Sequence, residues 1–98
     1  MTLSMTEPAP PALDPRRRRL LYRANHRGTC ENDLMIGGYV SRHIHTMTES
    51  QLDALEAVMD LPDNDLADWL TGRLPIPRER DSAVLQAIRT FALDLGRR

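Results

Sequence analysis

Apolar residues recur at helical spacing in five segments of this 98-residue chain. The second segment, about residues 30 to 45, has the clearest pattern, because Ile36, Val40 and Ile44 follow one another at four-residue spacing. Aromatic and β-branched residues, which favour strands, are scarce. We therefore predict an all-α protein, a small five-helix antiparallel bundle with brief connections between its helices.

Residues that cap helices set the first predicted boundaries. Asp14 as N-cap and Pro15 as first helical residue begin the first helix, which runs to about His26. Gly28 stands where a left-handed residue ends a helix, and Thr29 can cap the second helix. The sequence therefore predicts a tight break between the first two helices.

The other three helices are bounded in a similar way. Thr48 and Gln51 fit a capping box that opens the third helix. The fourth helix is predicted to begin with Asp63 or Asn64 as its cap and to end at Gly72. The fifth helix carries Val84, Leu85, Ile88, Phe91 and Leu95 at helical spacing.

The chain is predicted to contain one folded domain. Residues 1–14 are rich in proline, and we expect them to form a disordered tail. Residues 15–96 then form a single helical domain, since about eighty residues leave room for one core. Within it the Gly37-Gly38 pair weakens a helix, so we interpret the pair as a place where another helix or a partner approaches closely.

Charge is distributed unevenly along the chain, although the net charge is only −1 and all 13 basic residues are arginine. Residues 1–45 carry a net charge of +3, residues 46–77 carry −6, and residues 78–98 carry +2. This distribution suits either a protein partner with complementary patches or intramolecular pairing of the ends with the middle. The run Arg16 to Arg19 is interpreted as a solvated helix face, with a nucleic-acid or acidic-partner contact as the alternative.

Residues that could carry catalytic or metal chemistry are few. Cys30 is the single cysteine, and His26, His43 and His45 are the only histidines. None of them has the spacing of a metal site or a nucleophilic triad, and no phosphate-binding glycine motif is present. We therefore expect neither an enzyme nor a metal site. The lone cysteine and the lack of a signal peptide or membrane-spanning segment favour the cytoplasm.

The stretch HRGTCEND, residues 26–33, has two interpretations. Helix capping explains its glycine, threonine and glutamate when the stretch is taken alone. A longer pattern comprises Arg27-Gly28-x-x-Glu31, Asp33, Gly37, Tyr39 and an acidic segment with Asp60, Asp63, Asp65, Leu66, Trp69 and Leu70. This pattern, over roughly residues 16–92, resembles the succinate dehydrogenase FAD-assembly (flavinator) family, which has an R-G-x-x-E motif and an acid-rich segment ending in Trp-Leu.

The resemblance implies a five-helix assembly factor that binds the flavoprotein subunit of succinate dehydrogenase, or of a related fumarate reductase. It would promote covalent attachment of FAD to a histidine of that subunit, without binding FAD tightly itself. Arg27, Gly28 and Glu31 match the motif that meets the flavoprotein, and Asp33 and Tyr39 complete the predicted partner-binding set.

We expect the assistance to be positional rather than acid-base. Arg27 is expected to pair with a carboxylate or carbonyl of the partner, Gly28 to let the two backbones approach, and Glu31 to accept a hydrogen bond. Asn32 and Cys30 depart from the family pattern, which commonly has an apolar residue and a longer side chain there.

Other functions compete with this interpretation. A small helical nucleic-acid-binding module would use the arginine run, but the acidic middle segment and the net charge of −1 argue against it. An antitoxin-like adaptor is a further alternative, and it predicts a partner other than a flavoenzyme. We expect no membrane contact and a monomer, with a dimer as the alternative.

Overall fold

The computed structural model describes residues 12–97, which form five helices. They are α1 (Pro15–Asn25), α2 (residues 30–43), α3 (Glu49–Met59), α4 (Asp63–Leu70) and α5 (Ala83–Leu95). Single 3₁₀ turns follow α2 (Ile44–Thr46) and precede α5 (Arg78–Arg80). The all-α class and the five helices are thus confirmed. The predicted disordered tail falls mainly on residues 1–11, which lie outside the described residues.

Several predicted caps are present. The Asp14 carboxylate accepts from the backbone N–H of Arg17 at 3.3 Å, and Thr29 Oγ1 accepts from the N–H of Asn32 at 3.2 Å. The capping box of α3 is complete, because Thr48 and Gln51 each bind the other's backbone N–H. These contacts confirm the predicted starts of three helices.

The predicted cap of α4 is wrong. Pro62 occupies the N-cap position, and its carbonyl accepts from Leu66 N at 3.1 Å. Asp63 is instead the first residue of the helix, where its negative charge is favoured by the helix dipole. Its carboxylate is therefore available to bind other parts of the chain.

Helix α2 departs from the regular helix that the apolar spacing predicts. It consists of an α-helical turn at Cys30–Asn32, a π-helical turn at Asp33–Gly37 and an α-helical segment at Gly38–His43. A π turn accommodates an extra residue and so shifts the side chains that precede it relative to those that follow. Leu34 in this turn is 63% exposed, and the polar Asn32 in the preceding α-helical turn is buried.

Both glycines of α2 lie at close helix contacts. A Cβ atom on Gly37 would lie 3.1 Å from the Ala24 carbonyl oxygen and would overlap the Asn25 side chain. A Cβ atom on Gly38 would lie 3.0 Å from Cε2 of Phe91. The prediction of close approach is thus confirmed, and the approaching elements are α1 and α5.

The core is built from aliphatic side chains of all five helices. Trp69 belongs to it, and Leu13 packs against it from just before α1. Phe91 and Leu95 share the helical spacing of α5 but are only half-buried, whereas Ala92 is buried. The fully buried residues with the largest side chains include Leu20, Ile36, Ile44, Leu52, Leu55, Leu66, Leu70, Leu85 and Ile88.

Arginines of α1 tie it to the following elements. Arg16 contacts the carboxylates of Glu49, Asp53 and Glu56 at 3.0, 2.5 and 3.0 Å, and these residues lie on one stripe of α3. Arg17 donates to the carbonyls of Ile44 and Met47. The interpretation of the arginine run as a solvated face is therefore wrong for Arg16 and Arg17.

Candidate functional site

The break between α1 and α2 is a turn that only glycine accommodates without strain. Gly28 has φ = +100°, a left-handed conformation that L side chains rarely adopt. A Cβ atom built on Gly28 would have no neighbour within 4 Å, so its surroundings are open. Backbone conformation, rather than lack of space, therefore accounts for glycine at this exposed position.

The side chain of Arg27 points inward from this turn. Its Nε donates to Asp63 Oδ1 at 2.9 Å, and its Nη1 and Nη2 donate to the carbonyls of Met59 and Leu61 at 2.5 and 2.8 Å. Only 9% of the side chain is exposed. These carbonyls lie at the end of α3 and just after it, where helices leave acceptors unsatisfied. We call these contacts the Arg27 brace.

The Arg27 brace changes one expectation about the site. Arg27 was expected to pair with a carboxylate or carbonyl of a partner, but the structure gives it those two kinds of acceptor within its own chain. Arg27 therefore holds the turn in place, with its guanidinium turned into the fold. No pattern in the sequence identified Met59, Leu61 and Asp63 as the acceptors of Arg27, although Asp63 belongs to the acid-rich segment noted there.

Two further side chains stabilise the start of α2. Asp33 Oδ1 accepts from the backbone N–H of Arg27 at 2.6 Å, across the turn. Asn32 Nδ2 donates to the carbonyl and Oδ1 of Asp63, both at 3.2 Å. Asn32 is buried, and its Oδ1 has no hydrogen-bond partner among residues 12–97. This departure from the family pattern is thus part of the contact between α2 and α4.

The outer side of the turn carries the exposed members of the motif. Gly28, Cys30 and Glu31 are exposed, and Gly28 and Cys30 line a shallow concavity together with Asp33 and Leu34. Glu31 makes no ion pair with any residue in the described range. The turn therefore offers backbone, a thiol and a carboxylate to a partner on its outer side.

Sequence reasoning missed an exposed aromatic residue beside this concavity. Tyr22 is 64% exposed, and its ring stacks on His26 with centroids 3.9 Å apart. His26 Nδ1 donates to the Tyr22 carbonyl oxygen at 2.7 Å, which fixes the imidazole ring. The i, i+4 spacing of the two rings on one helix was the available signal.

Tyr39 lies elsewhere. Its ring packs against His43, with centroids 4.3 Å apart, and meets Phe91 edge-on at 6.0 Å. Partial burial raises the pKa of its hydroxyl. Tyr39 lines a different concavity, between α2 and α5, so the structure does not place it with Gly28 and Cys30.

Metal-ligating side chains are dispersed over the described residues. Over residues 12–97 no group of three or more histidine, cysteine, aspartate or glutamate side chains is placed to hold a metal ion. The concavities beside the turn are open to solvent. In the same part of the chain no helix is long and apolar enough to cross a bilayer.

Comparison with known protein families places most of the chain in one family. The family described as flavinator of succinate dehydrogenase matches residues 18–92. The chain belongs to this family. The resemblance inferred from the sequence is thus confirmed at the level of the family.

Curated relatives include bacterial and eukaryotic proteins. The "FAD assembly factor SdhE" of Acetobacter pasteurianus is 51% identical over 71 residues, which are 72% of this chain and 65% of that protein. The mitochondrial succinate dehydrogenase assembly factor 2 of Dictyostelium discoideum is 36% identical over 73 residues, or 74% of this chain and 52% of the relative. The chain thus spans between half and two thirds of the length of these relatives.

Proposed function

We propose that this protein is an assembly factor that binds the flavoprotein subunit of succinate dehydrogenase and promotes covalent attachment of FAD to a histidine of that subunit. Family membership and the names of the relatives support the proposal. The observation that carries it is the turn itself, in which Gly28 and Glu31 are exposed while Arg27 fixes the backbone from inside.

The geometry favours a positional role. Three hydrogen bonds from Arg27 to the region between α3 and α4 hold the turn in one conformation, so little order has to be gained on binding. Gly28 has no Cβ, and its open surroundings allow a partner backbone to approach. Glu31 is free to accept a hydrogen bond from that partner.

The chemistry of FAD attachment takes place in the client, that is, in the flavoprotein subunit. The 8-methyl group of the flavin would lose a proton and supply the carbon that is attacked, the histidine of the flavoprotein would supply the nucleophile, and the flavin ring would take up the electron pair. This chain contributes by binding the client in the conformation that brings those two groups together. It acts as an assembly factor and not as the catalyst, and we propose that it does not bind FAD tightly itself.

The proposal extends to a second client, to the oligomeric state of the protein and to its cellular compartment. A fumarate reductase flavoprotein is a second client to test, because it presents the same flavin and histidine chemistry. We propose that the protein acts as a monomer in the cytoplasm, where a single exposed thiol such as Cys30 stays reduced. The arginine run gives no support to nucleic-acid binding, since Arg16 and Arg17 are engaged within the chain.

The decisive test measures the amount of covalent FAD on the succinate dehydrogenase flavoprotein by in-gel flavin fluorescence under denaturing conditions. Deleting the gene should remove the fluorescent band, and the wild-type gene should restore it. The Gly28→Arg variant should fail to restore it while keeping its helical circular dichroism, because the new side chain projects from an open turn.

Gly72→Arg is the matched control. Gly72 also has a positive φ, +79°, but it follows α4 and lies against Leu93 and Arg89. Both variants therefore bear similar backbone strain, and only Gly28→Arg should lose flavinylation. An unchanged band in the deletion strain would refute the function. If Gly28→Arg restores the band as well as wild type, the turn is not the contact.

A further inference from the structure

Large apolar side chains are exposed at three positions in the described part of the chain, and two of the three lie close together. Tyr22 is 64% exposed, Leu34 is 63% exposed and Leu74 is 48% exposed. Tyr22 lies on the outer face of α1, and Leu34 lies in the π turn of α2. Leu74 follows α4, in the connection to α5. Exposing large apolar groups in pairs is typical of an interaction surface.

Two adjoining concavities connect Tyr22 with Leu34. Asn25 and His26 line both of them. The concavity on the Leu34 side also includes Gly28 and Cys30 of the turn. The surface formed by Arg19, Tyr22, His26, Gly28, Cys30 and Leu34 is therefore continuous, and we call it the Tyr22–Leu34 surface.

Charge is unbalanced on the Tyr22 side of this surface, whereas the Leu34 side includes Asp33, whose carboxylate accepts from the Arg27 backbone N–H. The concavity around Tyr22 is lined by Arg18 and Arg19 but by no acidic side chain. Arg18 donates to the Leu13 carbonyl oxygen at 2.6 Å, and Arg19 makes no ion pair with any residue among 12–97. A partner that places a carboxylate beside Arg19 would gain a pairing that residues 12–97 do not provide.

We propose that the Tyr22–Leu34 surface docks a segment of the flavoprotein subunit that carries an apolar side chain next to carboxylates. The inference rests on the proposed function and extends its contact from the turn along α1. A partner backbone that reaches Gly28 enters the concavity that Leu34 also lines. Tyr22 and Leu34 then supply the buried contact, and Arg19 orients the acidic segment.

A second copy of this chain is the less suitable occupant. A two-fold symmetric dimer would press the same patch against itself. Arg18 and Arg19 of one copy would then approach their counterparts in the other, with no acid among the residues that line that concavity. Like charges brought together in this way oppose association.

The test measures the affinity of the full-length chain for the purified flavoprotein subunit carrying non-covalent FAD, by titration calorimetry. Tyr22→Glu and Leu34→Glu should each weaken binding by about tenfold or more, as expected for losing a buried apolar contact. Leu74→Glu is the matched control, since it changes an exposed leucine outside the surface, and it should stay within about twofold of wild type. Arg19→Glu should weaken binding more than Arg78→Glu, and the difference should shrink at high salt.

The outcomes separate this inference from the function on which it rests. If wild type neither binds nor flavinylates the subunit, the function itself is refuted. If wild type binds and both Glu variants bind equally well, the docking surface is refuted while the function stands. Sedimentation analysis of each variant adds one more outcome. Suppose that wild type is a dimer, that Tyr22→Glu dissociates it and that the affinity for the flavoprotein stays unchanged. The surface would then belong to a second copy of the chain, and the inference would be overturned.

Discussion

The inner and outer sides of α1 use the same residue type in opposite ways. On the inner side, Arg16 and Arg23 bind carboxylates of α3 and of its C-terminal cap, and Arg27, just beyond the helix, binds the region between α3 and α4. On the outer side, Arg19 has no acidic partner in the described range and lies beside the exposed ring of Tyr22. Arginines on the inner side of α1 are thus structural contacts, whereas Arg19 on the outer side is left available for the partner contact that we propose.

The difference shows how the protein can combine a rigid turn with an available surface. Acceptors for the inner arginines are fixed within the fold, so those side chains stabilise it and are not free for a partner. Residues on the outer side contribute little to folding, because they are exposed and make few contacts. Variants on the two sides should therefore separate stability from client binding.

The largest expected effect on stability comes from Arg27→Ala. It removes hydrogen bonds to Asp63, Met59 and Leu61 from a side chain that is only 9% exposed. We expect the free energy of unfolding to fall by about 2–3 kcal/mol, since bonds to charged groups contribute about that much and leave buried acceptors unpaired when lost. Urea unfolding followed by circular dichroism measures this loss.

Arg19→Ala is the control for Arg27→Ala. It removes the same side chain from the outer face and should change the free energy of unfolding by less than about 0.5 kcal/mol. Client binding should then weaken in Arg19→Ala without loss of stability. Equal destabilisation by the two variants would contradict the distinction between the inner and outer sides.

Sequence reasoning recovered the elements of this fold because they depend on local signals. Asp14, Thr29, Thr48 and Gln51 cap helices through contacts three residues apart, so their roles are visible in the sequence. Gly28 was predicted from the conformation that ends a helix. The contacts of Arg27 could not be predicted, because its acceptors lie more than thirty residues away and depend on how α1 packs.

The π turn is the part of α2 that the sequence did not reveal. The four-residue apolar spacing of α2 continues back to Asn32, so even a regular helix over residues 30 to 45 places Asn32 on the core face and Leu34 on another face. No local propensity signals the extra residue accommodated in Asp33–Gly37. That Leu34 lines a concavity together with Gly28 became visible only in the structure.

A smaller effect on stability is expected from Arg16→Gln, at the start of α1. The change leaves Glu49, Asp53 and Glu56 without their shared cation, and these like charges then repel one another along α3. We expect a loss of stability well below that of Arg27→Ala, because these carboxylates are largely exposed. The loss should diminish as sodium chloride is added, whereas the loss in Arg27→Ala should persist.

Arg78→Gln is the control for Arg16→Gln, since Arg78 is exposed in the 3₁₀ turn before α5. It removes an equal charge and should leave stability almost unchanged at every salt concentration. If Arg16→Gln behaves like Arg78→Gln at low salt, the contact between α1 and α3 contributes nothing to the fold.

The smallest expected effect is a pH dependence at the N-cap of α1. A hydrogen bond from the Arg17 side chain is the main cause that lowers the pKa of Asp14 below its usual 3.8. Because the folded pKa lies below the unfolded one, this contribution is fully present above pH 3.8 and is lost as pH falls through the lower folded value. Asp14→Asn keeps a capping side chain and removes only the charge. The difference in unfolding free energy between wild type and Asp14→Asn should therefore stay constant above about pH 5 and shrink below about pH 4. A difference that persists in acid would show that the cap acts through geometry alone, and that Arg17 is held by the carbonyls of Ile44 and Met47 without help from Asp14.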